Sequence, residues 1–432
     1  MWSSWHVAIA GFGAEGKSVL NFLKRSGARK ITILDESNNI DDQEIDDVDV
    51  ITGQNAFSDL SSFDVVFRSP GINPNKLDHP NVTSPTKIFF SQNEAKIIGV
   101  TGSKGKGTTA TLIHEMLKTS GLRTHLVGNI GVPVLDVLES IQEQDVVVFE
   151  LSSFQLWDLK SSPEIAVVLM IEPEHLDVHT SMDDYISAKS NIDIFQSKED
   201  FITYHQNNKF SQEIAVKSVA KKAKYLTPEG AYIDGGMIRI EQQEITNTNN
   251  IKLIGAHNLE NICAAVTAVW QITKDVQAIK TVLTSFSGLK HRLEYVADVD
   301  GVKYFNDSIG TTPASAVSAM RAFDKPVVAI MGGSSKGVDY REMARKMTQL
   351  KNLKKVILIG ETAGVISEDL RQAGFDQNNI SNPESLKIAV HMAHDFASEG
   401  DIVVLAPASA SFDMFDNYQD RGEQFIKIVK SL

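Results

Sequence analysis

The segment that most constrains this chain is Gly99-Val-Thr-Gly-Ser-Lys-Gly-Lys-Gly-Thr-Thr109. The apolar run Lys96-Ile-Ile-Gly-Val100 leads into it, and a helical run, Ala110 to Leu117, leads out. A strand, a glycine-rich loop and a helix in that order form a parallel βα unit, whose sheet must be covered by helices. The same geometry cradles a nucleoside triphosphate. Glycines let backbone N–H groups turn inward, the helix N-terminus faces the phosphates, and Lys106 reaches the β and γ oxygens. The residues expected to contact ATP here are Gly102, Ser103, Lys104, Gly105, Lys106, Gly107 and Thr108. The spacing departs from G-x-x-x-x-G-K-[ST], because position 100 is Val and Gly107 follows the lysine. A plain glycine-rich turn is the competing reading.

Strand and helix patterns alternate almost throughout the chain, which predicts an α/β architecture with parallel sheets. The first stretch opens with the apolar run His6 to Ala10, the turn Gly11-Phe-Gly-Ala-Glu-Gly16 and a helix through Leu20 and Leu23. Strands over Lys30–Leu34 and Asp64–Phe67 follow, so this is a small Rossmann-like unit. The acidic cluster Asp41 to Asp49 reads as a solvated loop. A second region begins near Glu94, with strands at Ile97–Thr101, Asp145–Glu150 and Ile165–Ile171, and helices beginning near Thr108 and Ser181. From Lys222 to Leu253 short polar-interrupted strands read as a β-rich insertion, followed by a helix from His257 to Ile272. A third region starts between Leu289 and Glu294. It holds a hairpin around Asp298-Val-Asp-Gly301, helices at Pro313–Phe323 and Tyr340–Leu350, and strands at Val327–Met331, Val356–Ile359 and Ile402–Leu405.

At 432 residues, two or three domains are expected. A formal net charge of −13 makes the chain a poor general nucleic-acid binder, since phosphate contact needs clustered Lys and Arg. Cys263 is the single cysteine, so no internal disulfide can form, and its apolar helical setting predicts buried packing. The N-terminus, Met-Trp-Ser-Ser-Trp-His, lacks the pattern of a secretory signal, and no apolar run is long enough to span a bilayer. The cytoplasm and a monomeric chain are the expectations.

Further motifs cluster at strand ends, where open α/β sheets bind ligands. Gly11-x-Gly-x-x-Gly16 matches the dinucleotide fingerprint, and Asp35 lies near the distance expected for a ribose contact. Alone it would suggest an NAD oxidoreductase. With a triphosphate loop downstream, a second nucleotide-like ligand fits better. Ser69-Pro-Gly71 closes another strand at the same edge. Glu150, in Glu150-Leu-Ser-Ser-Phe-Gln155, ends an apolar strand where a magnesium ligand belongs. Glu174-His-Leu-Asp-Val-His179 has histidines four apart, which on a helix would share one face; a single metal-contacting histidine and a structural pair both remain open. His257-Asn-Leu-Glu-Asn261 opens a helix whose Asn258 and Asn261 could bond a purine edge, unless Asn258 merely caps it. Asn306 to Pro313, Gly332 to Asp339 and Ala406 to Asp413 are three polar strand exits that would line one crevice.

Together these segments resemble the Mur ligases of peptidoglycan synthesis, most closely the branch that adds D-glutamate. The resemblance runs from Gly11 to Gly422 and is most specific in Gly128-Asn-Ile-Gly131, Glu150-Leu-Ser-Ser-Phe-Gln155, His175-Leu-Asp-Val-His179 and Ser411 to Gly422. It implies three domains: a Rossmann-like domain for a UDP-sugar peptide (1–93), a central ATPase domain (94–290) and a Rossmann-like domain for the incoming amino acid (291–432). It implies UDP-substrate contacts near Gly13, Ala14, Glu15, Asp35, Glu36 and Ser69, with Asn129, Ser152 and Ser153 holding the muramoyl part. Glu150 would bind one magnesium and His175 a second, and Lys189, in Tyr185-Ile-Ser-Ala-Lys189, would be carbamylated. From the sequence alone, Lys189 reads instead as a surface lysine on an amphipathic helix. Asn258 and Asn261 would hold adenine, Arg292 and Asp307 would engage the nucleotide, and Thr311, Lys336, Ser411 and Tyr418 would surround glutamate. Gly107 stands where Ser or Thr usually follows the lysine, which moves the expected hydroxyl ligand to Thr108. Ile309 occupies the place of a lysine, and Thr312 stands where Asn is common.

The implied activity is ATP-dependent amide formation between UDP-N-acetylmuramoyl-L-alanine and D-glutamate through an acyl phosphate, serving cell-wall synthesis and division. The same centre would serve an L-glutamate ligase on that precursor, or a ligase like folylpolyglutamate synthetase. A carboxylate and a triphosphate repel each other, so Lys106 and magnesium are needed to bring them together. An ordinary lysine has the wrong sign for a metal ligand, and carbamylation would reverse its charge.

Overall fold

The computed structural model describes residues 2–37, 45, 48–129, 132–176, 178–253, 255–335 and 338–432. The chain divides into two compact units, Met1–Phe286 and Ser287–Leu432.

In the first unit, short apolar runs form parallel strands buried on both faces, as helix-covered sheets require. The first sheet is built from β1 (His6–Ala10), β2 (Lys30–Asp35), β3 (Asp49–Thr52), β4 (Val65–Arg68) and β5 (Val82–Thr83), in the order β3-β2-β1-β4-β5. The sequence reading finds three of these five. β3 is exposed along its length and β5 is two residues long, so neither carries an apolar signature. The expected loop at Asp41 to Asp49 lies mostly outside the described residues, and Asp49 itself opens β3. Helices α1 (Ala14–Arg25) and α2 (Pro85–Gln92) complete this part.

The central sheet follows: β6 (Lys96–Thr101), α3 (Lys106–Thr119), β7 (Thr124–Gly128), α4 (Val134–Val137), β8 (Val146–Glu150), α5 (Ser153–Leu156), β9 (Ile165–Val168), α6 (Met182–Ser190), β10 (Phe201–His205), α7 (Lys209–Lys217) and β11 (Lys221–Tyr225). All six strands are parallel, in the order β11-β10-β9-β6-β8-β7. β6 therefore lies in the middle, and register pairs Val100 with Glu150 and Thr101 with Val168, so three strand ends meet at the glycine-rich loop. Residues 221–225 belong to this sheet and not to the β-rich insertion expected from Lys222 onward. The insertion is the antiparallel sheet β12 (Tyr232–Asp234), β13 (Met237–Ile240) and β14 (Gln243–Asn247). Helices α8 (Ala256–Val269) and α9 (Val276–Ser285) close the unit, packing with α3 on one face of the central sheet. On the other face, Phe89 and Phe90 of α2 meet Phe149 of β8 at ring separations of 5.6 and 6.0 Å, which merges the first and central sheets into one core. Cys263 is fully buried in α8, and burial pushes its thiol up to about 12.

The second unit has its own sheet. β15 (Glu294–Val299) and β16 (Val302–Asn306) form the expected hairpin. They are followed by α10 (Pro313–Arg321), β17 (Val327–Gly332), α11 (Arg341–Thr348), β18 (Leu353–Ile359), α12 (Ala363–Gln372), β19 (Ile380–Ser381), α13 (Leu386–Phe396), β20 (Ile402–Leu405) and α14 (Tyr418–Val429). The order is β15-β16-β20-β17-β18-β19, parallel except for the hairpin, with a separate apolar core on each face. Among the described residues no helix is long and apolar enough to cross a membrane.

Candidate active site

The loop between β6 and α3 turns on Gly105. This residue caps the helix with φ +84°, a conformation L side chains avoid, and a Cβ there would lie 2.3 Å from Asn261 Oδ1. The tight approach ties the loop to α8, where Asn261 Nδ2 donates to Asn258 Oδ1 at 3.0 Å. Gly255 is the N-cap of α8, so Asn258 sits inside the helix and does not cap it. Lys106 folds back over the loop, donating to the carbonyls of Gly102 (3.0 Å) and Ser103 (2.8 Å). Ser103 is buried. Its hydroxyl donates to the Glu172 carbonyl at 2.8 Å, accepts the Glu172 amide at 2.9 Å and lies 3.0 Å from the Tyr185 hydroxyl. The side chain thus braces the loop against the exit of β9, and the Ser103 amide adds to the brace by donating to the Met170 carbonyl at 2.9 Å. Lys104 is exposed and ion-paired with Glu172 at 3.1 Å. Gly107 and Thr108 are buried in the first turn of α3.

Glu150 is buried at the carboxyl end of β8. Asn129 sits over it, its amide 3.3 Å from the Glu150 carbonyl and its side-chain nitrogen 3.5 Å from Oε1. Ser152 is the N-cap of α5 and forms a reciprocal capping box with Gln155. Ser153 is buried, with Oγ 3.0 Å from His179 Nε2.

The expectation that His175 and His179 could share a helix face is overturned. Neither histidine lies in a helix: the His179 amide donates to the His175 carbonyl, and His175 itself has φ +56°. His175 is exposed. His179 is buried, stacked on Trp157 and Phe154 at ring separations of 4.0 and 5.5 Å.

Lys189 corrects the surface reading most sharply. Its side chain is buried, Nζ donates to the Gly102 carbonyl at 2.9 Å and Thr101 Oγ1 at 3.3 Å, and it lies 4.7 Å over the Tyr185 ring. Burial, reinforced by the Lys106 charge, holds its ammonium well below the ordinary lysine value, against the opposing pull of Glu174 and Glu150. Lys106, Glu150 and Glu174 therefore all lie close enough to Lys189 to act on its charge. Among the described residues, no three His, Cys, Asp or Glu gather as a ready cation cage. Magnesium needs none, since it keeps waters and takes one or two carboxylates plus substrate phosphates. A buried carboxylate at the strand end beside such a loop fits that chemistry.

At the first sheet, Asp35 Oδ2 accepts the Phe12 amide at 2.7 Å and Oδ1 the Ser37 amide at 2.8 Å. Ser69 Oγ donates to the Gly11 carbonyl at 2.6 Å. Both side chains thus organise the glycine turn. Gly13 caps α1 and Ala14 begins it, both exposed. Burial, with Asp136 nearby, raises the Glu15 carboxyl to about 7, and Glu36 is ion-paired with Lys76 at 2.8 Å.

In the second unit, burial raises the Asp307 carboxyl to about 7 although Oδ1 accepts the Leu293 amide at 3.0 Å and exposed Arg292 pulls it down. Thr311 is half-buried and Ser411 buried, and the Tyr418 carbonyl accepts Ser308 Oγ at 2.8 Å. Thr312 is the N-cap of α10 in a capping box with Ser315, which gives this residue a local reason. Lys336 lies outside the described residues. Arg421 is fully buried. It donates to Ser308 Oγ (3.0 Å) and to the carbonyls of Ser308 (2.8 Å), Ser409 (3.2 Å) and Ala410 (3.1 Å), and burial lowers it to about 10. The sequence reading assigned no role to Arg421, Tyr185 or Arg68. The only local signal was a basic residue ending an apolar strand for Arg68, and a position four before Lys189 on a helix for Tyr185.

A phosphate-cradling loop at the centre of a parallel sheet, with an acidic strand end beside it, defines an ATP-dependent enzyme. Residues 100–269 match the Mur ligase middle domain, and residues 291–409 match the Mur ligase glutamate ligase domain. The chain belongs to the Mur ligase family. Relatives called UDP-N-acetylmuramoylalanine–D-glutamate ligase from Clostridium tetani and Acetivibrio thermocellus are 35% and 37% identical to it, over 99% of this chain and 96% of theirs. Among solved structures, the UDP-N-acetylmuramate-alanine ligase MurC of Thermotoga maritima (14% identity, TM-score 0.59, 99% of both chains) shares the fold. So does MurF of Acinetobacter baumannii (17% identity, TM-score 0.62, 98% of this chain and 90% of that one).

Proposed function

We propose that the chain joins D-glutamate to UDP-N-acetylmuramoyl-L-alanine, with ATP cleaved to ADP and phosphate. The observation that carries this reading is the convergence of Lys106, Glu150 and Lys189 on the loop after β6, in a chain whose full-length relatives bear that activity's name. Residues 1–93 take the UDP-sugar peptide, 94–290 take ATP and 291–432 take the amino acid. One chain carries every segment the reaction uses, so a monomer suffices. Nucleotide-linked substrates place the work in the cytoplasm.

The substrate carboxylate attacks the γ-phosphorus, ADP leaves, and the glutamate amine then displaces phosphate from the acyl carbon. Backbone amides of Gly102–Thr108 cradle the phosphates, and Lys106 swings from its loop carbonyls to the β and γ oxygens. Asn129, Ser152 and Ser153 hold the muramoyl-alanine end, with Ser153 oriented by His179. Asn258 and Asn261 hold the adenine. Gly13, Ala14, Glu15, Asp35, Glu36 and Ser69 shape the uridine diphosphate site. Arg292 and Asp307 engage the nucleotide, and Thr311, Lys336, Ser411 and Tyr418 form the glutamate pocket. Two magnesium ions, when bound, would neutralise the phosphates, held by Glu150 with the Thr108 hydroxyl and by His175 with carbamylated Lys189. The depressed basicity of Lys189 supports that modification, because only the neutral amine adds to CO2.

The test is phosphate release from ATP with UDP-N-acetylmuramoyl-L-alanine and stereochemically pure glutamate. Release that requires the sugar peptide and D-glutamate is expected. Release driven equally by L-glutamate would overturn the amino-acid assignment, and no release with either would overturn the ligase.

A further inference from the structure

The carboxylate substrate proposed above is long. Its uridine diphosphate end belongs to the turn after β4, and its reacting end to the segment after β8. One buried side chain joins these two segments. Arg68, the last residue of β4, is fully buried. Its Nη1 donates to the carbonyls of Pro70 (3.3 Å) and Ile72 (3.0 Å), inside the turn that carries Ser69. Its Nη2 donates to the Phe154 carbonyl (3.0 Å) and to Asp158 Oδ1 (2.7 Å), in the segment that begins with Ser152 and Ser153. Asp158 also accepts Lys87 Nζ from α2 through Oδ2 at 2.6 Å. Burial would raise the Asp158 carboxyl, and the Arg68 and Lys87 charges outweigh it, so the group stays ionised.

We propose that Arg68 is a positioning residue that fixes the distance between the nucleotide-diphosphate turn and the acyl-end segment, so that one ligand engages both at once. The inference rests on the proposed function. Its physical basis is the linkage of two weak contacts. A ligand held at one end finds the other end at high effective concentration only if the two subsites keep the spacing the ligand spans. A planar guanidinium suits this task. Its fixed fork reaches four acceptors on two segments, which a lysine ammonium with three donors at one point cannot reproduce.

The test compares two ligands by isothermal titration, using the full chain. UDP alone reports the first subsite, and UDP-N-acetylmuramoyl-L-alanine reports both. For Arg68→Lys, UDP affinity is expected to stay within about twofold and ATP affinity to stay unchanged, while the sugar peptide binds about tenfold more weakly and kcat falls at saturation. Asp158→Asn keeps Arg68 and removes one anchor, so it should show the same pattern to a smaller degree, and it serves if Arg68→Lys does not fold. A role confined to stability would lower all affinities together or none. Equal weakening of both ligands, or no change in either, overturns the proposal. If the unmodified protein binds neither UDP nor the sugar peptide, the functional reading fails and the inference falls with it.

Discussion

Replacing Gly105 by alanine tests how strictly the phosphate loop is built. The residue stands at φ +84°, where an L side chain costs about 1–2 kcal/mol. The new Cβ would lie 2.3 Å from Asn261 Oδ1, so Asn261 must move and give up its 3.0 Å bond to Asn258. A hydrogen bond of that kind contributes about 0.5–1.5 kcal/mol. Together these give about 1.5–3.5 kcal/mol, or roughly 10- to 400-fold if the loop relieves the strain by abandoning its binding geometry. The assay is ATP titration with magnesium beside differential scanning calorimetry. Gly364→Ala is the control: the residue lies exposed in the first turn of α12 with nothing within 4 Å of the added carbon, and it should leave ATP affinity alone. A Gly105→Ala protein that binds ATP within about threefold of the parent, well below the range worked above, refutes the argument.

Glu150→Gln keeps the shape of the strand end and removes its charge; phosphate release should fall by about 100-fold or more, partly recovered at high magnesium, and full activity would remove the cation role. Lys189→Met should abolish turnover, and the parent enzyme should respond to added bicarbonate. In protein freed of CO2, where Lys189 carries a free amine, folding depresses its ammonium below 10.5, so the unfolded chain holds more protons in that window and the group's contribution to stability rises as pH climbs toward 10.5. Calorimetry across alkaline pH should therefore show a flatter profile for Lys189→Met, and an unchanged slope would contradict the burial argument. Asp307 has the opposite sign. Its carboxyl is raised from 3.8 to about 7, so its contribution is complete below 3.8 and lost as pH rises through about 7. Asp307→Asn should flatten the fall in melting temperature between about pH 4 and pH 7, and a profile parallel to the parent over that window would count against it.

Much of the scaffold could be read from residue patterns, because buried parallel strands are short apolar runs. β1, β6, β8 and β20 declare themselves this way. β3 and β5 do not, since one is exposed and the other is two residues long. β11 reads Lys-Lys-Ala-Lys-Tyr and looked like part of a polar insertion, yet it pairs with β10 at the edge of the central sheet. The loop and Glu150 were legible because their chemistry depends on local spacing. The setting of Lys189 was not, because burial comes from Thr101, Gly102 and Tyr185, two of which lie almost ninety positions away. The same holds for Ser69, Ser153 and Asp35: each polar side chain is a plausible ligand contact in sequence, and each is engaged within the fold by a backbone group or a histidine. Arg68 gives no signal for the converse reason, since a charge that ends an apolar run carries no hint of what it will face; Arg421 stands out only as part of the Ser411–Gly422 resemblance, and its polar neighbours in sequence give no sign of its burial.

Lys104 and Lys106 lie two positions apart on the loop after β6, where α3 presents its N-terminus. Such a pair of cationic nitrogens at a helix N-terminus attracts oxyanions without regard to their origin. Sulfate from a precipitation step or inorganic phosphate in a storage buffer would compete with nucleotide, and accumulated reaction product would do the same as turnover proceeds. Binding constants for this protein will therefore depend on the salt in which it is handled, and zwitterionic or chloride buffers are the sound choice for measuring them.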